Sequence, residues 1–173
     1  MTDKKENILE AALQLFANEG YNATSTSTIA KQAKVSEGLI FRHFENKKGL
    51  LDAIMQEAEN RLQVMFTSIL FEEDPQEVID KTIKLPFSIK ESEYDFWKLQ
   101  FQLKWQTAYY NPNKMKPVSE KIFWAFSQLG YENPEYETQL LNQLLDALAA
   151  GLLRNEIKDK TTYQSFLLSK YQR

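Results

Sequence analysis

A chain of 173 residues with 43% hydrophobic and 26% charged side chains has the composition of an ordinary folded protein, which excludes wholesale disorder. It contains no cysteine and a single histidine, His43, so disulfides, thiolate metal sites, cysteine nucleophiles, histidine-based triads and histidine-rich metal clusters are all removed. The net charge of −3 excludes a protein that coats nucleic acid by bulk positive potential, and the acidity is uneven: the first 50 residues carry seven Lys/Arg against six Asp/Glu, the rest 14 against 18.

With five glycines, five prolines and no alternating apolar run, the chain is predicted to be all-α, with about nine helices. Asp3 and Glu6 form a capping pair for a first helix whose apolar face is Ile8, Leu9, Ala12, Leu13, Phe16 and Ala17, and Gly20 closes it. The hydroxyl-rich run Thr24–Thr28 offers N-caps for a short helix around Ile29, Ala30 and Ala33. A tight turn at Lys34 and Val35 follows, then Ser36 caps a third helix running to about Phe44. Asn46 starts a long fourth helix carrying Leu50, Leu51, Ile54, Ala58, Leu62, Met65 and Phe66 on its apolar positions.

Farther on, Pro75 opens a helix that Pro86 ends near Leu85, and an aromatic-rich helix is predicted from about Ser92 to Tyr110, where Asn111-Pro112 breaks it. Helices from about Pro117 to Leu129, Pro134 to Asn155 and Asp159 to Tyr171 complete the series. No apolar run reaches the roughly 20 residues that span a bilayer, and the N-terminus has neither a secretory nor a transit pattern, so no membrane association and a cytoplasmic location are expected.

Residues 26–44 carry the chemistry. Two short helices joined by a three- or four-residue turn, with small Ala30 and Ala33 at the crossing and Val35 and Ile40 packed against them, make a helix-turn-helix. The second helix then exposes Ser36, Glu37, Gly38, Leu39, Arg42 and His43. Arg42 is the candidate base reader, because a guanidinium can pair bidentately with a guanine edge. Thr24, Ser25, Thr26 and Ser36, with Lys47 and Lys48 at the start of the fourth helix, are candidate phosphate contacts, Lys47 foremost. Taken singly, the same residues make an ordinary capping loop and a solvated basic face; their clustering favours the interface.

In the second half, Phe96, Trp97, Phe101, Trp105, Tyr109 and Tyr110, then Phe123, Trp124 and Phe126, concentrate aromatic surface on two helices. Most belong in a core. Trp97, Phe101, Trp105 and Trp124 are candidate walls for a small apolar or aromatic ligand, with Gln100, Gln102, Gln106 or Asp146 as polar contacts among which the sequence does not choose. The helix from Pro134 is apolar over a wide arc. Leu141, Leu144, Leu145, Leu148 and Leu152, joined by Phe166 or Leu167, are candidates for a self-association face, and Ala147, Ala149, Ala150 and Gly151 permit close helix approach; a central core helix is the plainer alternative.

The stretch from Gly20 to Ser25, then Ile29–Ala33, Val35–Phe44 and Asn46–Leu51, closely resembles the N-terminal domain of TetR-family transcriptional regulators, collinear and without gaps across about the first 55 residues. The resemblance implies a DNA-binding domain over 1–48 and a ligand-binding and dimerisation domain over 49–173. It implies a homodimer formed by the last two helices, a ligand cavity near helices 4 to 7, double-stranded DNA with a palindromic operator as partner, and repression as the outcome. Three departures stand out: Lys34 where the family often has glycine, Phe41 where it usually has a phosphate-contacting tyrosine, and Glu37 where neutral or basic residues are common. With no catalytic set, no metal ligands and no nucleotide-binding glycine pattern, an enzyme and a cofactor are not expected. The competing expectation is a helical ligand-binding or interaction protein of the same fold that has lost DNA binding, kept open by the acidic balance, Glu37 and Phe41.

Overall fold

The computed structural model describes residues 4–104 and 113–172, and within them it is helical throughout, with nine α-helices and two short 3-10 turns. Helix α1, Lys4–Glu19, buries Ile8, Ala11, Ala12, Leu15, Phe16 and Ala17, the face expected from its periodicity. It stops at Gly20, whose φ of 91° is open to glycine and strained for other residues. The capping role given to Asp3 lies outside the described residues. Helices α2 (Thr26–Ala33) and α3 (Glu37–Phe44) follow, and α4 runs from Lys47 to Leu70. The Asn46 side-chain carbonyl accepts from the Gly49 amide at 2.9 Å, satisfying one of the amides left unpaired where α4 begins.

Helix α5, Pro75–Lys84, is opened by Asp74, whose carboxylate accepts from the amides of Gln76 and Glu77, with proline in the first turn where no amide is needed. Pro86 then turns the chain into a 3-10 segment, Pro86–Ser88. The aromatic helix α6 is shorter at its start than its composition suggests: Glu91–Glu93 forms a 3-10 turn, and the α-helix is Tyr94–Leu103. Its expected continuation to Tyr110 falls on residues 105–112, outside the described ones.

Helix α7 is Lys116–Gln128, and α8 is Pro134–Leu153, two residues shorter than expected. The reason lies at Asn155, which adopts a left-handed φ of 57°. Its amide donates to Leu152 O and that of Glu156 to Gly151 O, the paired bonds of a helix-ending Schellman motif. Asp159 caps α9, Lys160–Tyr171, by accepting from the Thr162 amide at 3.0 Å.

The described residues divide into two compact units, 4–61 with 92–104, and 62–91 with 113–172. The first has α6 packed beside α1, around a core that includes Ile8, Phe16, Ile29, Ile40, Leu50, Leu51, Leu99 and Leu103. Gln102 Nε2 donates to Ala17 O at 2.9 Å, and the Arg61 guanidinium lies 4.5 Å from the Phe96 ring centre while bonding Glu93. In the second unit α7 packs against both α5 and α8, enclosing Ile69, Ile79, Ile83, Ile122, Phe126, Leu141 and Leu167.

That core corrects one expectation. Leu141, Leu145, Leu148 and Leu152 are buried within the chain itself, at 0%, 8%, 2% and 2% exposure, so they have no surface left to offer a partner. A wide apolar arc on a long helix can be consumed by a central core position, and here four of its leucines are.

Candidate nucleic-acid interface

Ser25 begins α2: its hydroxyl accepts from the Thr28 amide at 3.0 Å and shares a 2.8 Å hydrogen bond with the Thr28 hydroxyl. Ile29, Ala30 and Ala33 are buried, and Ala30 and Ala33 are the small residues expected where the two helices cross. The turn that follows is a second Schellman motif. Lys34 is left-handed, with φ 55° and ψ 45°, its amide donates to Lys31 O, and that of Val35 donates to Ala30 O. A lysine thus holds a conformation that glycine adopts more easily.

Helix α3 buries Ile40 and Phe44 and leaves Ser36, Gly38, Phe41, Arg42 and His43 exposed, with Glu37 and Leu39 half-buried. Arg42 makes no hydrogen bond or ion pair with another described residue, so its guanidinium is available to a ligand. Ser36 stands at the N-cap position, but its hydroxyl makes no capping bond, contrary to the cap assigned to it.

The candidate phosphate contacts sort into two groups. Ser36 and Lys48 are exposed, Lys48 in a 2.6 Å ion pair with Asp52 one turn on, and Ser25 is exposed at the start of α2. Thr24, Thr26 and Lys47 are committed inside the unit. Thr24 is buried and its hydroxyl donates to Gly20 O at 2.9 Å. The Thr26 hydroxyl donates to a Glu37 carboxylate oxygen at 2.5 Å, tying the start of α2 to the start of α3. Lys47 Nζ donates to Tyr21 O at 3.0 Å and Thr24 O at 2.9 Å and lies 4.5 Å from the Tyr21 ring centre. It therefore fastens the α1–α2 loop to the start of α4.

Two features were missed in the sequence. Gly49 sits where a β-carbon would come within 2.0 Å of Phe44 O, so only glycine fits the junction of α3 and α4. The junction itself is a γ-turn centred on Glu45, with φ 66° and ψ −44° and the Asn46 amide donating to Phe44 O at 2.7 Å. Phe41, at 47% exposed, is a large apolar side chain on the reading face.

The chain's first third matches the family model for bacterial regulatory proteins of the tetR family over residues 8–54, the span that builds this site. Over these residues the chain is similar to the N-terminal domain of TetR-family regulators. An uncharacterised HTH-type transcriptional regulator, YvkB of Bacillus subtilis, is 46% identical over 66 residues, 38% of this chain and 35% of that protein. The HTH-type transcriptional repressor Rv3405c of Mycobacterium tuberculosis is 40% identical over 76 residues, 44% of this chain and 38% of the repressor. The chain thus matches little more than a third of the length of these curated relatives. The crystal structure of the transcriptional regulator FadR from Bacillus subtilis in complex with stearoyl-CoA superposes with a TM-score of 0.70 at 19% identity, over 96% of both chains. That likeness carries the TetR fold through the remaining helices.

The other predicted site residues lie in different units. Trp97 and Phe101 belong to α6 in the first; Trp124, half-buried with the Lys121 ammonium 3.9 Å from its ring centre, belongs to α7 in the second. Trp105 falls outside the described residues. Of the self-association candidates, Leu144 is half-buried and Phe166 is 50% exposed. Among the described residues no group of three or more His, Cys, Asp or Glu is placed to hold a metal, and no helix is long and apolar enough to cross a membrane.

Proposed function

We propose that the chain is a ligand-responsive transcriptional regulator that represses by binding a palindromic operator as a homodimer. The observation that carries this reading is α3, held by Ile40 and Phe44 and by the Thr26–Glu37 bond while Arg42 and its exposed neighbours stay clear of the protein. Such a helix fits the major groove, with Arg42 reading a guanine, His43, Gly38 and Leu39 beside it, and Phe41 against a thymine methyl or sugar. Ser25, Ser36 and Lys48 contact phosphate; Thr24, Thr26, Glu37 and Lys47 hold the reading head in shape. Residues 1–48 are the DNA-binding part, and 49–173 carry ligand and partner.

Self-association is assigned to the apolar surface that α8 and α9 leave exposed. On α8 that is Tyr136, Leu140, Leu144 and Ala147 at three- and four-residue spacing; on α9 it is Phe166 beside Tyr163, ring centres 6.2 Å apart. The FadR structure above was solved with stearoyl-CoA, and the repressor Rv3405c is named for repression; both support a ligand-released repressor acting in the cytoplasm. The ligand must bind the free and DNA-bound conformations unequally to switch anything.

Selection of duplexes from a random pool tests the reading, with recovery of an inverted repeat expected and loss of affinity with added salt. Arg42→Ala should weaken the selected duplex about 10- to 100-fold and relax preference at one base pair per half-site. Salt-insensitive binding, or no enriched sequence, would overturn it.

A further inference from the structure

Helix α6 has two sides. Gln102, Leu99 and Leu103 lie on the side turned to α1, where the Gln102 side chain bonds Ala17 O. At 100° per residue, Trp97, Gln100 and Phe101 fall on the opposite side. Trp97 is 6% exposed, its ring packed edge-on against Phe96 at 5.2 Å, and its indole N–H has no hydrogen-bond partner among the described residues. One turn on, Gln100 Nε2 is likewise buried and unpaired. Buried polar groups are paired in the great majority of cases, because an unmade hydrogen bond in a dry setting costs stability. Two unpaired donors one turn apart, flanked by the apolar face of Phe101, form a constellation of one polarity.

We propose that Trp97 and Gln100 are the polar anchor of a small-molecule site on α6, taking an apolar molecule that ends in a carbonyl or carboxylate oxygen. The indole N–H decides the class: it only donates, and it does not titrate, so the group that meets it must be an acceptor. Gln100 supplies a second N–H to the same oxygen or to its geminal partner. A quaternary ammonium has no acceptor to offer and leaves both donors unpaired. This deepens the ligand-responsive reading proposed above and rests on it for its regulatory meaning, while the site stands on the two donors alone.

The test uses the full chain, labelled with nitrogen-15, and three probes below their micellar concentrations: laurate, methyl laurate and dodecyltrimethylammonium. The Trp97 indole resonance is identified as the one missing from Trp97→Phe. Laurate and methyl laurate should move that proton downfield, as a new hydrogen bond does, and the ammonium should not. Gln100→Leu should melt no lower than the parent, since it removes an unpaired amide, while binding laurate at least tenfold more weakly. No downfield shift with either oxygen-bearing probe, an equal shift with the ammonium, or a Gln100→Leu variant that melts lower and binds laurate unchanged would each overturn the proposal. The same preparation is assayed against the selected duplex. A shift without duplex binding sinks the regulator and keeps the site; duplex binding without a shift does the reverse.

Discussion

Lys47 shows how one side chain can look like a ligand contact and act as a structural tie. A lysine at a helix start beside a hydroxyl-rich loop is the natural partner of a phosphate, yet its ammonium bonds Tyr21 O and Thr24 O and lies over the Tyr21 ring. Replacing it with methionine keeps the aliphatic stem and leaves two loop carbonyls without their charged donor. Lys47→Met should therefore destabilise the N-terminal unit by about 1–3 kcal/mol in denaturant titration. Lys48→Met, which breaks an exposed ion pair with Asp52, should stay within about 0.5 kcal/mol of the parent. Equal small losses in both would make Lys47 a surface cation after all. Glu37 is read the same way: an acid on the reading face is explained by the Thr26 hydroxyl it accepts. The identities of these residues were plain in the sequence, but their partners, 23 and 26 residues away for Lys47 and 11 for Glu37, were set by the fold.

At the scale of elements, the helices were legible because their signals are local. Gly20, Pro75, Pro134 and Asp159 mark helix ends where the structure has them. What failed to show was backbone detail without a residue signature: the 3-10 start before α6, the γ-turn at Glu45, and a Schellman motif closed by Asn155. Lys34 is the testable case. Its φ of 55° costs a lysine and not a glycine, so Lys34→Gly should raise stability by up to about 1 kcal/mol, read from the denaturation midpoint. A loss would mean that unfolded-chain entropy, which glycine increases, outweighs the relief of strain. Between α4 and α5, Glu72 accepts from the Lys81 ammonium and from the amides of Asp74 and Glu73, which hold its carboxyl at about 2, well below the usual carboxylate range. A depressed carboxylate contributes stability that is complete above its ordinary value of 4.5 and is lost as pH falls through about 2. Glu72→Gln should thus unfold less steeply in acid than the parent while differing little in slope above pH 5, and an unchanged acid limb would show the ion pair to be energetically silent.

For the whole molecule, the question is what the exposed apolar residues of the second unit are for. Periodicity showed that α8 is apolar over a wide arc and could not say which part faces the chain's own core. Burial does: Leu141, Leu145, Leu148 and Leu152 are spent there, and Tyr136 and Leu140 remain at 71% and 54% exposed, with Phe166 on α9 at 50%. Large side chains left this open are costly to hydrate when they adjoin one another, and a second copy of the chain is the partner that the proposed reading of a palindromic operator requires. Leu140→Lys places a charge in that surface and leaves the core untouched. It should convert a dimer into a monomer by sedimentation velocity at micromolar concentration, keep the helical content of the parent, and weaken the selected full-site duplex far more than a single half-site. Leu148→Lys, by contrast, should unfold the second unit, because it puts the charge where no water reaches. If Leu140→Lys remains dimeric, or if the parent itself sediments as a monomer, the exposed face of α8 is not the interface, and two α3 helices acting together on one operator would need another means of being held at a fixed spacing.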